Sequence, residues 1–256
     1  MNDRALIDQF AATRDAQAFE ELVRRHVDWI YAAARRQVGP ANAEDVTQAV
    51  FVVLAEKPAT AARQAALSPW LFGVLRFASL RCLRDQSRRR QHERAAAEQA
   101  RSARMDVESD DEREQMLAML DELVAKLRDR DRRPVIMRFY QRCSFAQIGD
   151  ALGVSEEAAR KRVTRSVDKL RSMFAAQGVS GVPGDAMQMF TVTALLHAAP
   201  AAIAMHAAQA AISAGAAGAS GVLAKGAIAM MRIQKLQRAA MVLLAVTTVA
   251  AVGGAA

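Results

Sequence analysis

The chain has 256 residues, enough for two small domains and their connections. Hydrophobic residues make up 52% but aromatics only 5%, so much of the apolar content is alanine, which favours helices with thin cores; the formal charge of +8 suits a polyanionic partner, nucleic acid or an acidic membrane surface. Cys82 and Cys143 lie far apart, the four histidines are scattered, and no CxxC or HExxH spacing occurs, which argues against a structural metal and for reduced thiols in a cytosolic compartment.

Met1 to Phe10 carries charges and lacks the apolar core of a signal peptide. Phe19, Leu22, Val23, Val27, Ile30 and Ala34 then recur at helical spacing. A break at Gly39-Pro40 precedes a second stripe of Val46, Val50, Val53 and Leu54. Pro58 and the small residues up to Ser68 predict a loop, and Leu71, Val74, Leu75, Ala78 and Cys82 a third helix. Together these predict a helical bundle over 1–90. Residues 91–112 hold almost no large apolar side chain and end in the acidic run Glu108 to Glu112, which predicts a mobile linker.

A second helical domain is predicted over 113–176. Leu117, Leu120, Leu123, Val124 and Leu127 make one stripe, and Pro134 is read as opening the next helix, with Val135, Ile136 and Phe139 facing inward. A short helix from Phe145 to Leu152, a Gly153 turn, an N-cap at Ser155 and the inward stripe Ala159, Val163, Val167 and Leu170 form a helix-turn-helix pattern. Its second helix turns Glu156, Glu157, Arg160, Lys161, Thr164 and Arg165 outward. Arg160 and Lys161 can donate to guanine edges or phosphates and Glu157 can accept from cytosine; Arg162, Arg165, Lys169 and Arg171 suit phosphates. The fold class is therefore all-α, two small helical domains joined by a flexible linker, with an alanine-rich extension over 177–238 and an apolar tail at 239–256.

Two features of the first domain stand out. Asp45 and Gln48 share a helix face turned away from the valine stripe, a polar patch that could dock a protein. By spacing alone, a plain solvated face is the better account. In the third helix Arg81, Arg84 and Arg88 follow one another at helical spacing, with Arg76 and Arg89 nearby and Trp70 and Phe72 at the start. Arginines beside aromatics suit strand-separated DNA, where rings stack on bases; the two rings serve equally well as core.

Three blocks resemble the extracytoplasmic-function sigma factors, a two-domain branch of the sigma-70 family. They are the acidic segment Ala43 to Phe51, the run Trp70-Leu-Phe-Gly-Val-Leu-Arg76, and the stretch from Arg133-Pro134 to Leu170. The resemblance implies that Asp45, Gln48 and Phe51 dock on the clamp helices of core RNA polymerase. It implies that Trp70, Arg76, Arg81, Arg84 and Arg88 belong to the surface that captures the melted promoter element. Ser155, Glu156, Glu157, Arg160, Lys161, Thr164 and Arg165 fall where the family reads the distal element as duplex. Departures are Ala49 in place of a usual acidic residue, Phe77 after Arg76, Arg81 where aspartate is frequent, and Cys143 where glycine is common.

No phosphate-binding loop, nucleophile elbow or paired carboxylate set occurs, so no enzyme, catalytic residue, cofactor or metal is expected. The expected partners are core RNA polymerase, promoter DNA and an anti-sigma factor; a DNA-binding regulator that is not a polymerase subunit is the alternative. Ala239 to Ala256 has no charge and follows Arg232, Lys235 and Arg238, so a short membrane anchor holding the domains on the cytoplasmic side of the inner membrane competes with a buried or disordered alanine-rich helix. Met187 to Ile212, interrupted by His197, Pro200, His206 and Gln209, reads as an amphipathic or docking segment. The resemblance suggests that this extension restrains the two domains until a signal frees them.

Overall fold

The computed structural model describes residues 2–64, 66–97, 111–177, 199–212, 223–225 and 227–228, with side chains in 89–118, 201 and 210–212 outside the description. Most of the linker, Leu117's side chain and the 239–256 tail therefore lie outside it. The described elements are helical, without strands, in agreement with the all-α expectation.

Local chemistry sets the helix ends. Helix α1 (Asp3–Thr13) starts where the Asn2 side chain accepts from the Ala5 N–H. Asp15 caps α2 (Ala16–Val38) in the same way, through the Gln17 N–H. Helix α3 (Pro40–Glu56) begins with proline in its first turn, where the missing N–H costs nothing. The stretch after Pro58 is not all loop. It holds a short helix, α4 (Pro58–Ala62), again opened by proline, and α5 (Leu67–Ala97) starts before Ser68 and runs on past residue 90. The alanines between supply helix propensity that a search for loops discounts.

Helix α6 (Asp111–Lys126) leads into α7 (Asp129–Val135). Pro134 lies inside α7 rather than at its start. Asp129 and Asp131 favour the positive end of the helix dipole, so the helix begins upstream of the proline. Pro134 has no N–H to return to the carbonyl one turn back. Just past it the ladder widens into a π turn, Ile136–Tyr140, closed by the Gln141 N–H donating to the Ile136 carbonyl at 3.2 Å. Helices α8 (Phe145–Leu152), α9 (Glu156–Ala175) and α10 (Ala201–Ile212) complete the described set.

Helices α1 to α5 bury the expected stripes: Phe19, Leu22, Ile30, Val46, Val50, Leu54, Leu71 and Leu75 are almost fully enclosed. A smaller core of Met137, Ile148, Ala159, Val163 and Val167 holds the helix-turn-helix. The two units meet directly. Tyr140 from the π turn stands edge-on to Trp29 of α2 and Phe72 of α5, with ring centroids 6.1 and 5.2 Å apart. Arg36 of α2 donates through Nε and Nη2 to the two carboxylate oxygens of Asp121 on α6, at 3.3 and 3.2 Å. The Tyr140 hydroxyl also donates to Asp121, and Gln37 Nε2 adds a hydrogen bond at 3.3 Å. Both charged side chains are buried, so each depends on the other for solvation. Burial, then the Asp121 charge, pushes the Tyr140 phenol far above its ordinary range.

Candidate nucleic-acid interface

The helix-turn-helix is built from its caps outward. Ser144 and Gln147 form a reciprocal capping box at the start of α8. Gly153 takes the left-handed conformation, φ 64°, that lets the chain reverse. Ser155 then caps α9 by accepting from the Ala158 N–H at 3.2 Å. Inside α8, Gly149 allows close approach: a Cβ there would lie 2.7 Å from the Val154 carbonyl oxygen. No sequence pattern marks this need for a bare backbone.

Ser155, Glu156, Glu157, Arg160, Lys161, Thr164 and Arg165 are all exposed on one side of α9. Arg160 lies against an aromatic ring. Its guanidinium lies 4.6 Å from the centre of the Phe145 ring, which Arg138 also approaches to 4.6 Å. Lys161 pairs with Glu157 at 2.7 Å and Arg160 with Glu156 at 3.6 Å. Such exposed pairs are weak and exchange readily for phosphate or base edges. The Thr164 hydroxyl donates to the Arg160 carbonyl. Lys169 and Arg171 are turned toward Asp131 and Asp168, while Arg162 and Arg165 remain exposed.

On α5, Trp70, Arg81, Arg84 and Arg88 return to the same side of the helix, and Arg76 flanks them. Arg81 pairs with Asp85 at 2.9 Å; Arg84 and Arg88 are exposed. Trp70 is half-buried against the main core, whereas Phe72 is a core residue outright. Trp70, Gly73, Arg76 and Phe77 form one wall of a cleft of about 730 Å³; Lys126, Asp129, Arg132 and Arg133 from α6 and α7 form much of the other. The Trp70–Arg76 end of α5 therefore faces the second unit.

On α3, Asp45 and Gln48 are half-buried, and Gln48 donates to Glu44 at 3.0 Å. Burial, then the neighbouring Glu44 charge, raises the Asp45 carboxyl above its ordinary range. Phe51 differs from the expectation of a docking residue. Its ring is 0% exposed, because the apolar side chain fills the bundle core, and it offers no atom to a partner. It can only brace the face from behind. Cys143 is half-buried with its thiol pushed up by burial, as a filler residue would be.

The family model for sigma-70 region 2 matches residues 22–89, and that for sigma-70 region 4 matches residues 123–172. A curated relative, the RNA polymerase sigma factor CarQ of Myxococcus xanthus, is 30% identical over 159 residues, covering 61% of this chain and 88% of the relative. The chain belongs to the sigma-70 family, in its extracytoplasmic-function branch. This sigma factor is thus a promoter-directing subunit of RNA polymerase. No solved structure gives a significant match. Region 2 takes in the whole of α3 and the arginine row of α5; region 4 takes in the helix-turn-helix. Helices α1 and α10 of the sigma factor fall outside both regions.

Sequence reasoning missed the residues that join the two regions. Arg36 and Tyr140 carry no local pattern, and Asp121 sits among the charges of an amphipathic helix. Only the presence of a charged residue between the buried Leu120 and Leu123 hinted at a buried partner.

Proposed function

We propose that this sigma factor grips core RNA polymerase through α3, with Asp45 and Gln48 at the interface and Phe51 bracing them. The α5 surface of Trp70, Arg76, Arg81, Arg84 and Arg88 holds the melted promoter strand. Helix α9 reads the distal element as duplex through Ser155, Glu156, Glu157, Arg160, Lys161, Thr164 and Arg165. The observation that carries this reading is the outward cationic side of α9, with Arg160 pre-positioned on Phe145, in a chain that also carries the region 2 bundle. The factor itself makes and breaks no covalent bond. Two modest affinities on one chain combine through effective concentration, and binding energy to extruded bases offsets unstacking. The reading extends to an anti-sigma partner, and to residues 239–256 as an anchor keeping both regions at the cytoplasmic face of the inner membrane. Among the described residues no helix is long and apolar enough to cross a membrane, and 239–256 lies outside them.

Reconstitution with core polymerase and run-off transcription from genomic fragments tests the proposal. Asp45→Ala with Gln48→Ala weakens polymerase binding and leaves duplex binding intact. Arg160→Ala with Lys161→Ala does the reverse and lowers the salt dependence of DNA binding by about 0.9 in log–log slope for each phosphate left unneutralised. Equal loss of both activities in either variant refutes the division of labour.

A further inference from the structure

Helix α3 is buried on more sides than its own bundle requires. A helix on the surface of a bundle hides one apolar stripe, and here that stripe is Val46, Val50 and Leu54. The row Glu44, Gln48, Val52 and Ala55 lies on the opposite side of the helix by its spacing. It should face water. Yet Val52 and Ala55 are only 5% and 4% exposed.

At the Ala55 end the carbonyl oxygen accepts from Arg14, just past α1; toward the Glu44 end the cover is α10, from the extension beyond region 4. It packs along α3 and α2. Ile203 and Ala207 are buried there and join the main core, while Met205 on its outer side is 59% exposed. Polar interactions pin it at two points. The Ala199 N–H donates to Asp28 of α2 at 3.0 Å, and His206 Nδ1 lies 3.6 Å from Glu44 of α3. Glu44 is the acceptor of the Gln48 amide, so α10 reaches the polar patch itself.

We infer that α10 is an intramolecular occupant of the α3 docking face, and that core polymerase must displace it to bind. The inference rests on the proposed reading of Asp45 and Gln48 as polymerase-binding residues. Its chemistry suits a removable cover. Alanine-rich faces bury little area per residue, and the two polar interactions lie at exposed side chains where water can replace them. The cover belongs to the same chain, so its hold is independent of protein concentration and is set by the length of the connection from region 4.

Core polymerase affinity of the full chain, measured by fluorescence anisotropy, tests this. Ile203→Arg places a charge at a buried position of α10, a residue outside both matched regions. It tightens polymerase binding by roughly tenfold or more, within the usual range of coupling between linked equilibria. Ala207→Glu does the same through a second position and guards against an effect peculiar to one variant. Met205→Arg, on the exposed side, leaves affinity unchanged. Hydrogen exchange across 44–55 rises in the two tightening variants. Unchanged or weaker binding by both Ile203→Arg and Ala207→Glu, with exchange raised, overturns the inference. Adding Asp45→Ala and Gln48→Ala to Ile203→Arg separates the two claims. A return to weak binding supports docking at this face. Retained affinity means that polymerase binds elsewhere, and the docking assignment fails along with the inference.

Discussion

Replacing Asp121 by alanine takes away the carboxylate shared by Arg36, Gln37 and Tyr140. The Arg36 side chain is only 4% exposed, so it loses its carboxylate counter-ion while still buried, with the Tyr140 ring beside it. Stranding a buried charge in this way costs about 3–5 kcal/mol. The two regions have an escape that a single core lacks: they can part and let Arg36 reach water. The penalty therefore appears as opening rather than global unfolding. At about 1.4 kcal/mol per decade it favours the parted state by roughly a hundred- to several-thousand-fold. Hydrogen exchange followed by mass spectrometry reads it directly, as lost protection in 29–38 and 120–127 with the inner helices of region 2 still protected. The triple variant Arg36→Met, Asp121→Leu, Tyr140→Phe removes the buried charge pair and the phenol together and restores protection, because apolar replacements of a buried pair are commonly neutral or stabilising. Unchanged protection in Asp121→Ala, or a triple variant that stays open, refutes the reasoning.

Two further outcomes follow from other sites. Gly149→Ala drives a methyl group against the Val154 carbonyl oxygen and the Glu156 N–H, both backbone atoms, and destabilises the helix-turn-helix by about 1–3 kcal/mol. Promoter-duplex binding falls in a mobility-shift assay while polymerase binding through region 2 persists. Burial raises the Asp3 carboxyl, but the hydrogen bond and charge of His26, then those of Arg25, more than offset it, so the net shift is downward. A folded-state value below the unfolded one gives stability that is fully present above the ordinary carboxylate range and lost as pH falls through the folded value. Urea midpoints of the parent and of Asp3→Asn therefore differ at pH 7 and converge in acid; a constant gap across pH contradicts the assignment.

Periodicity carried most of the fold. The stripes on α2, α3, α5 and α9 are buried as their spacing requires, and turn chemistry at Gly39, Gly153 and Ser155 placed the breaks between helices. Two boundaries escaped for physical reasons. Pro134 looks like a first-turn residue, but acidic residues upstream had already started the helix, and a π turn absorbed the missing bond. The segment after Pro58 looks like a loop because alanine signals helix only weakly against proline. At the candidate site the exposed side of α9 was legible, since an inward stripe defines an outward one. Phe51 was misplaced because likeness to a motif says which segment docks, not which side chains point outward. The Arg36–Asp121 pair and the seating of α10 on α3 link residues far apart in the chain, and no local pattern encodes such pairs.

Phe145 has a bearing on how this factor could change its targets over evolution. The ring touches no base in the proposed mode, yet it restrains a guanidinium that would otherwise sample many rotamers, so part of the ordering entropy is lost during folding instead of during recognition. A lineage that replaces the ring keeps its positive charge but blurs its choice of base. One that keeps the ring and alters neighbouring α9 positions inherits a fixed reference point around which new specificities can be built.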